Sequence, residues 1–180
     1  MSAPGLTTVA SAARLGASVP AEYERHKVLL FPTGERAPFL VDIPKPPIEA
    51  AGAAVGGLAY MPWLTGDVGS GPANHSYLEI AVSVGDGEQQ YMTVVMSDQD
   101  HPPHLVLPHN QCIENVLGGG LSWRGNVLVV RRVGGKLADV QSEHIASIIQ
   151  NVAVLIRAEA LGAASAFFVG SDVGEHTDSE

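Results

Sequence analysis

Two neighbouring segments of alternating polar and apolar residues limit the folds open to this chain. Residues 77–84 and 90–96 both place apolar side chains at every second position, and Gly85-Asp86-Gly87 lies between them. Side chains of a strand alternate between its two faces, and glycines supply the positive φ that tight hairpin turns need. The pattern therefore predicts a hairpin with one buried face and one face in water.

A second hairpin and several further elements follow from similar patterns. Residues 27–31 and 39–43 are apolar runs on either side of Pro32-Thr33-Gly34. Further patterns predict extended segments at 58–64 and 126–132, and helices at 48–55, at 110–117 and over the apolar repeat from Ile145 to Ile156, with Asp139 or Ser142 as the N-cap of the last. Hairpins dominate, so we expect an α+β fold, a mostly antiparallel sheet of five or six strands with two or three packed helices.

The composition indicates one packed domain with irregular ends. Of the 180 residues, 46% are hydrophobic and only 16% are charged, which is far from the composition of disordered chains. Residues 25–170 are expected to form a single α+β domain. Residues 1–24 are predicted to be a flexible leader and residues 171–180, which contain four acids and no Lys or Arg, an acidic disordered tail.

Charge and cysteine content narrow the function classes and the compartment. The net charge of −9 disfavours general nucleic-acid binding, because phosphate backbones are repelled. Cys112 is the single cysteine, which excludes an intramolecular disulfide and favours the cytoplasm. The apolar stretch at 145–169 is interrupted by Arg157 and Glu159, so no membrane span is predicted.

Several short motifs, taken in order, resemble a known pattern. They are KVLLFPTGE, PFLVDIP, Val55-Gly56-Gly57, LPHNQCIENVLGGG and RGNVLVVRR, the last followed by a helix that opens near Asp139-Val140. This order is similar to a small uncharacterised domain family of unknown function, found in bacterial, phage and some other genomes. The likeness covers residues 27–150. It implies an α+β fold and contributes no catalytic residues.

A cluster of histidines and carboxylates forms the first candidate site. Asp98, His101, His104 and His109, with Asp100 beside them, are ligand types that zinc and other divalent transition metals use. Pro102-Pro103 prevents a helix in this segment, so the alternative is a solvated loop of exposed histidines.

Aromatic residues and one cysteine supply the remaining candidates. Tyr60, Trp63, Trp123 and Arg124 are candidates for lining a ligand-binding surface, although such aromatics more often belong to the core or its rim. Cys112 follows His109 by three residues, which could activate the thiol, or the cysteine could be buried in an apolar helix. The run Gly118-Gly119-Gly120 is better explained as a helix C-cap than as a phosphate loop.

No complete catalytic motif is present in the sequence. We therefore expect a non-enzymatic module that binds a small ligand or a protein partner. The alternative is a metal-dependent enzyme or metal-binding protein that uses the His/Asp cluster at residues 98–109. A homodimer formed through an exposed sheet edge is a further hypothesis.

Overall fold

The computed structural model describes residues 6–18, 21, 23–44, 75–84, 88–97, 107–134 and 136–160. In chain order they form helix α1 (Val9–Ala17), strands β1 (Arg25–Phe31), β2 (Phe39–Pro44), β3 (His75–Val84) and β4 (Glu88–Ser97), helix α2 (Gln111–Leu117), strands β5 (Val127–Val133) and β6 (Lys136–Ala138), a 3₁₀ turn (Ser142–His144) and helix α3 (Ile145–Ala160). The α+β class predicted from the sequence is confirmed.

The six strands form one antiparallel sheet in the order β2-β1-β5-β4-β3, and β6 pairs with the end of β5 that extends beyond β1. Both predicted hairpins, β1–β2 and β3–β4, are present. Strand β5 joins them, because Val129 lies opposite Leu29 of β1 on one side and Val94 of β4 on the other.

Helices α2 and α3 cover one face of the sheet and enclose the larger core cluster. In β1, β3, β4 and β5, every second side chain belongs to this cluster, as expected for pleated strands. Ile148, which the apolar repeat predicts to face the core, is fully buried. The buried members of the cluster are Leu29, Phe31, Ile80, Val82, Met92, Val94, Met96, Cys112, Ile113, Leu117, Trp123, Val127, Val129, Val140, Ile148, Val152, Ala153 and Ile156.

The opposite face of the sheet carries a second, smaller cluster. Its buried members are Ala12, Val28, Leu30, Val41, Ile43, Val95, Leu128 and Val130. The hairpin β3–β4 is exposed on this face at Glu79 and Tyr91, as the alternation predicts, but Val95 is buried. The expectation of one wet face therefore holds only for part of the hairpin.

Helix α1 lies within the range predicted to be a flexible leader. Thr8 Oγ1 accepts a hydrogen bond from Ser11 N at 3.2 Å, and Ser11 Oγ accepts one from Thr8 N at 2.8 Å, so the helix begins with a capping box. Ala12 and Gly16 are buried, and the helix packs against β2. Such small residues give no wide apolar stripe, so hydropathy alone does not reveal this helix.

Some predicted features differ in detail or lie outside the described residues. Helix α3 begins at Ile145 after the 3₁₀ turn, and Asp139 accepts a hydrogen bond from Lys27 N at 2.8 Å instead of capping it. The predicted segments at 48–55, 58–64 and 171–180 are outside the described residues. Within the described ranges, no helix is both long and apolar enough to cross a membrane.

Candidate functional site

A buried asparagine, Asn110, fixes the segment that carries the candidate site. Its Oδ1 accepts a hydrogen bond from Ile113 N at 2.8 Å and so caps α2. Its Nδ2 donates to Phe31 O at 3.0 Å and to Gly125 O at 2.7 Å. One side chain thus connects the start of α2 to the end of β1 and to the residues before β5, and both its amide hydrogens and its oxygen are satisfied.

A second buried asparagine, Asn126, extends the network to the N-terminal segment. Its Oδ1 accepts from Thr33 N at 2.8 Å, and its Nδ2 donates to Thr7 Oγ1 at 2.8 Å. Thr7 N in turn donates to Thr33 Oγ1 at 2.9 Å. Gly34 permits this close approach, because a Cβ on Gly34 would lie 2.6 Å from Thr7 O.

A short antiparallel bridge brings three of the sequence-predicted site residues together. His109 pairs with Arg124, Asn110 N donates to Trp123 O at 2.8 Å, and Gly125 N donates to Pro108 O at 2.9 Å. The neighbouring Gly125 has a φ of 75°, and a Cβ there would lie 2.8 Å from Leu107 Cδ1. The glycine therefore allows the bridge to pack against the segment before it.

The glycine run after α2 ends that helix, as the sequence predicts. Gly118, Gly119 and Gly120 have φ values of 75°, 85° and 90°, a region that side chains disfavour. Gly119 N donates to Glu114 O at 2.9 Å, which satisfies a carbonyl of the last turn. Adding a Cβ at any of the three would meet no atom within 4 Å, so the requirement for glycine is conformational and not steric.

A polar depression lies beside the bridge and the exposed side of α2. Its volume is about 530 Å³, and its lining residues are Arg36, His109, Gln111, Glu114, Asn115 and Gly119. Asn115 Nδ2 donates to Arg36 O at 3.0 Å, which connects α2 to the loop between β1 and β2. The depression therefore combines a cation, a carboxylate, two amides and an imidazole.

The imidazole of His109 makes both of its contacts through one nitrogen. Its Nε2 lies 3.0 Å from Ser122 Oγ and 3.4 Å from Glu114 Oε1. A serine activated by a His–acid pair needs the hydroxyl on one ring nitrogen and the carboxylate on the other. Serine, histidine and glutamate are thus close together here, but their arrangement is not that of a catalytic triad.

Cys112 lies on the other side of α2, in the core. Its side chain is fully buried, and burial raises the pKa of its thiol to about 12. The thiol is therefore protonated at neutral pH and is not a nucleophile. Because α2 begins at Gln111, His109 lies before the helix and does not share a helical face with Cys112.

Two members of the predicted ligand-binding set, Trp123 and Arg124, lie in the described residues, and both make contacts within the fold. Trp123 is only 2% exposed and belongs to the larger core cluster, and its Nε1 has no hydrogen-bond partner in the described part of the chain. Arg124 Nη1 donates to Leu107 O at 3.0 Å. Tyr60 and Trp63 lie outside the described residues.

Of the predicted metal ligands, only His109 falls in the described part of the chain. Asp98, His101 and His104 are outside it, and the described residues contain no group of three or more His, Cys, Asp or Glu side chains arranged to hold a metal ion. The metal site at residues 98–109 therefore stays a prediction.

Sequence reasoning misses most of the residues that line the depression. The polar side of α2 does leave a signal in the sequence. One helical face has i, i+3, i+4 spacing, and this is the spacing of Gln111, Glu114 and Asn115. No such signal links Arg36 to them, because the sheet and the Asn110 network bring these distant segments together.

Comparison of the chain with protein-family models, with curated proteins and with solved structures gives no match. The resemblance to a domain family of unknown function accordingly stays a prediction.

Proposed function

We propose that this protein is a non-enzymatic binding module that takes a small polar molecule into the depression beside α2. The observation that carries this proposal is the grouping of Arg36, His109, Gln111, Glu114 and Asn115 around one open volume of about 530 Å³. The ligand class that fits is a small molecule with an acidic group and at least one hydrogen-bond donor.

Arg36 is the reason to propose that the ligand carries an acidic group. Its side chain is exposed, and among the described residues no carboxylate pairs with its guanidinium. An arginine fork binds a carboxylate or phosphate through two parallel hydrogen bonds. Glu114, 41% exposed at its side chain, is a matching acceptor for a donor on the same ligand.

The chemistry of the described residues supports binding more than catalysis. His109 uses a single nitrogen for both Ser122 and Glu114, and the thiol of Cys112 is protonated in the core. In the described part of the chain these residues do not form an activated nucleophile with an oriented base. The lone, buried Cys112 also supports the cytoplasmic location that we propose.

Ligand screening by thermal shift tests this function. Small carboxylates, amino acids and phosphate esters are added singly to the untagged protein, and we expect at least one to raise the melting temperature. Arg36→Ala should abolish that increase. The matched control is Arg132→Ala, which removes the same charge from an exposed position of β5.

The function is contradicted if no compound of the panel binds to the wild-type protein. It is equally contradicted if Arg36→Ala and Arg132→Ala reduce the increase to the same extent, since the effect would then be one of net charge.

One observation favours the metal-binding alternative. Nε2 of His109 faces Ser122 and Glu114, whereas Nδ1 makes no hydrogen bond within the described ranges. A metal-binding histidine usually offers one nitrogen to the ion while its other N–H donates to a carboxylate or another acceptor. Under this alternative, His109 binds a zinc-like ion through Nδ1, and Asp98, His101 and His104 are the other ligands.

Calorimetric titration with zinc tests the alternative. We expect one site per chain in the wild-type protein, no site in His109→Ala, and an intact site in His176→Ala, which removes a histidine far along the sequence from the cluster. Equal zinc binding by all three proteins would exclude His109 as a ligand.

A further inference from the structure

The two outer strands of the sheet differ in how their edges are protected. Strand β2 has six residues, carries Asp42 in an ion pair with Lys27 at 2.9 Å, and ends at Pro44. Strand β3 has ten residues and contains no proline, glycine, lysine or arginine. Proteins usually protect long edge strands with such residues, because an unprotected edge pairs with another strand.

The outer side of β3 pairs with no other strand among the described residues. Its inner side pairs with β4 along its full length, from His75 opposite Ser97 to Val84 opposite Glu88. The backbone groups on the outer side are therefore available for a further antiparallel strand, to the extent that the structure describes the chain.

A second copy of β3 fits this edge when the two-fold axis passes through Ala81. Ile80 then lies opposite Val82 of the second copy on the face that α2 and α3 cover. On the other face Glu79 lies opposite Ser83 of the second copy, and the two Glu79 residues are four positions apart along the strands, about 13 Å. An axis through Glu79 would set the two carboxylates directly opposite each other, which is destabilising.

Tyr91 gives the same register a second argument. It lies opposite Ala81 in the β3–β4 pair and is 62% exposed, the most exposed tyrosine among the described residues. With the axis through Ala81, four side chains lie in one row across the junction of the two sheets. In order they are Tyr91, Ala81, Ala81 of the second copy and Tyr91 of the second copy. Two large rings flank two small side chains, so each ring has room to cover the junction.

We propose that the protein forms a homodimer in which two β3 strands pair antiparallel about a two-fold axis through Ala81, so that the two sheets become continuous. The interface is isologous, with the same surface on both copies. It does not depend on the depression beside α2, which is formed by other parts of the chain.

Sedimentation velocity on the full, untagged chain measures the association. We expect the wild-type protein to have twice the 18.8 kDa mass of one chain. Ala81→Arg places two like charges at the axis and should yield the single-chain mass. Val133→Arg adds the same charge to an exposed position at the end of β5 and should remain dimeric.

A second variant covers the case in which Ala81→Arg does not fold, as judged by circular dichroism. Tyr91→Ser leaves β3 unchanged and should weaken the dimer about three- to tenfold. A wild-type chain that sediments as a monomer at its highest soluble concentration overturns the proposal. So does an Ala81→Arg protein that is folded and as dimeric as Val133→Arg, or a Tyr91→Ser protein with unchanged dimer affinity.

Discussion

Two consecutive residues, His109 and Asn110, have opposite environments. Asn110 is fully buried, and its side chain makes three hydrogen bonds to the backbone of three different segments. The side chain of His109 is 37% exposed, and its two polar contacts are with side chains, not with the backbone. In the extended bridge to Arg124, successive side chains point to opposite sides. One short segment can therefore provide structural support on one side and a binding surface on the other.

The strongest test of this difference is Asn110→Ala. The change leaves Phe31 O and Gly125 O without their buried donor and removes the cap of α2, so the free energy of unfolding should fall by about 3 to 5 kcal/mol. Urea denaturation followed by circular dichroism measures the change. The matched control is Asn115→Ala on the exposed side of the same helix, for which we expect a loss below about 1 kcal/mol.

Equal destabilisation by these two variants would contradict the view that Asn110 has a special structural role. A loss of stability between these two values, together with a weaker helical circular dichroism signal, would show that Asn110 contributes only by capping α2.

A buried polar group that is not fully paired should behave differently from Asn110. His144 is 2% exposed, and its Nδ1 has no partner in the described part of the chain. Burial lowers the pKa of His144, and the Arg131 guanidinium lowers it further, against a smaller opposing effect of Glu143. The unfolded chain then binds a proton more readily than the folded one, so stability is complete at higher pH and falls as the pH decreases below about 6.5.

Denaturation midpoints between about pH 7.5 and pH 5.5 measure this contribution. The wild-type protein should lose more stability over this interval than His144→Leu, which has no imidazole to protonate at that position. Parallel pH profiles for the two proteins would show that His144 does not contribute to the acid sensitivity of the fold.

The smallest effect is expected at the exposed side of the segment. Glu114→Gln removes the carboxylate that lies 3.4 Å from His109 Nε2, but both side chains are well exposed. Exposed ion pairs contribute little, so the free energy of unfolding should change by less than about 0.5 kcal/mol. Denaturation in urea checks this, and a loss comparable to that of Asn110→Ala would mean that the depression is part of the structural support.

The sheet is the part of the molecule that its sequence predicts best. Hairpins β1–β2 and β3–β4 follow from local alternation and turn residues, and α3 follows from its apolar repeat. Helix α1 and strand β6 do not, because α1 buries small residues such as Ala12 and Gly16, and β6 has only three residues. A hydropathy pattern is most informative where large apolar side chains repeat over several turns or strand positions.

The depression was much less predictable than the sheet, because tertiary structure creates it. The sequence identifies His109 as a candidate, but as a metal ligand and not as a neighbour of Glu114 and Ser122. The sequence leaves two places open for Trp123, a ligand-binding surface or the core, and the structure has it in the core, while Arg124 donates to Leu107 O. Spacing in the sequence does not determine which side of a segment faces water when that segment pairs with a distant one.

The central position of β5 has a consequence for how the chain is synthesised. Hairpins β1–β2 and β3–β4 leave the ribosome first, and the strand that lies between them follows only at Val127–Val133. Until then each hairpin has an unpaired apolar edge, and closing the sheet requires residues about one hundred positions apart to meet. Nascent chains stalled before β5 should therefore depend on chaperones, and those released after β5 should not.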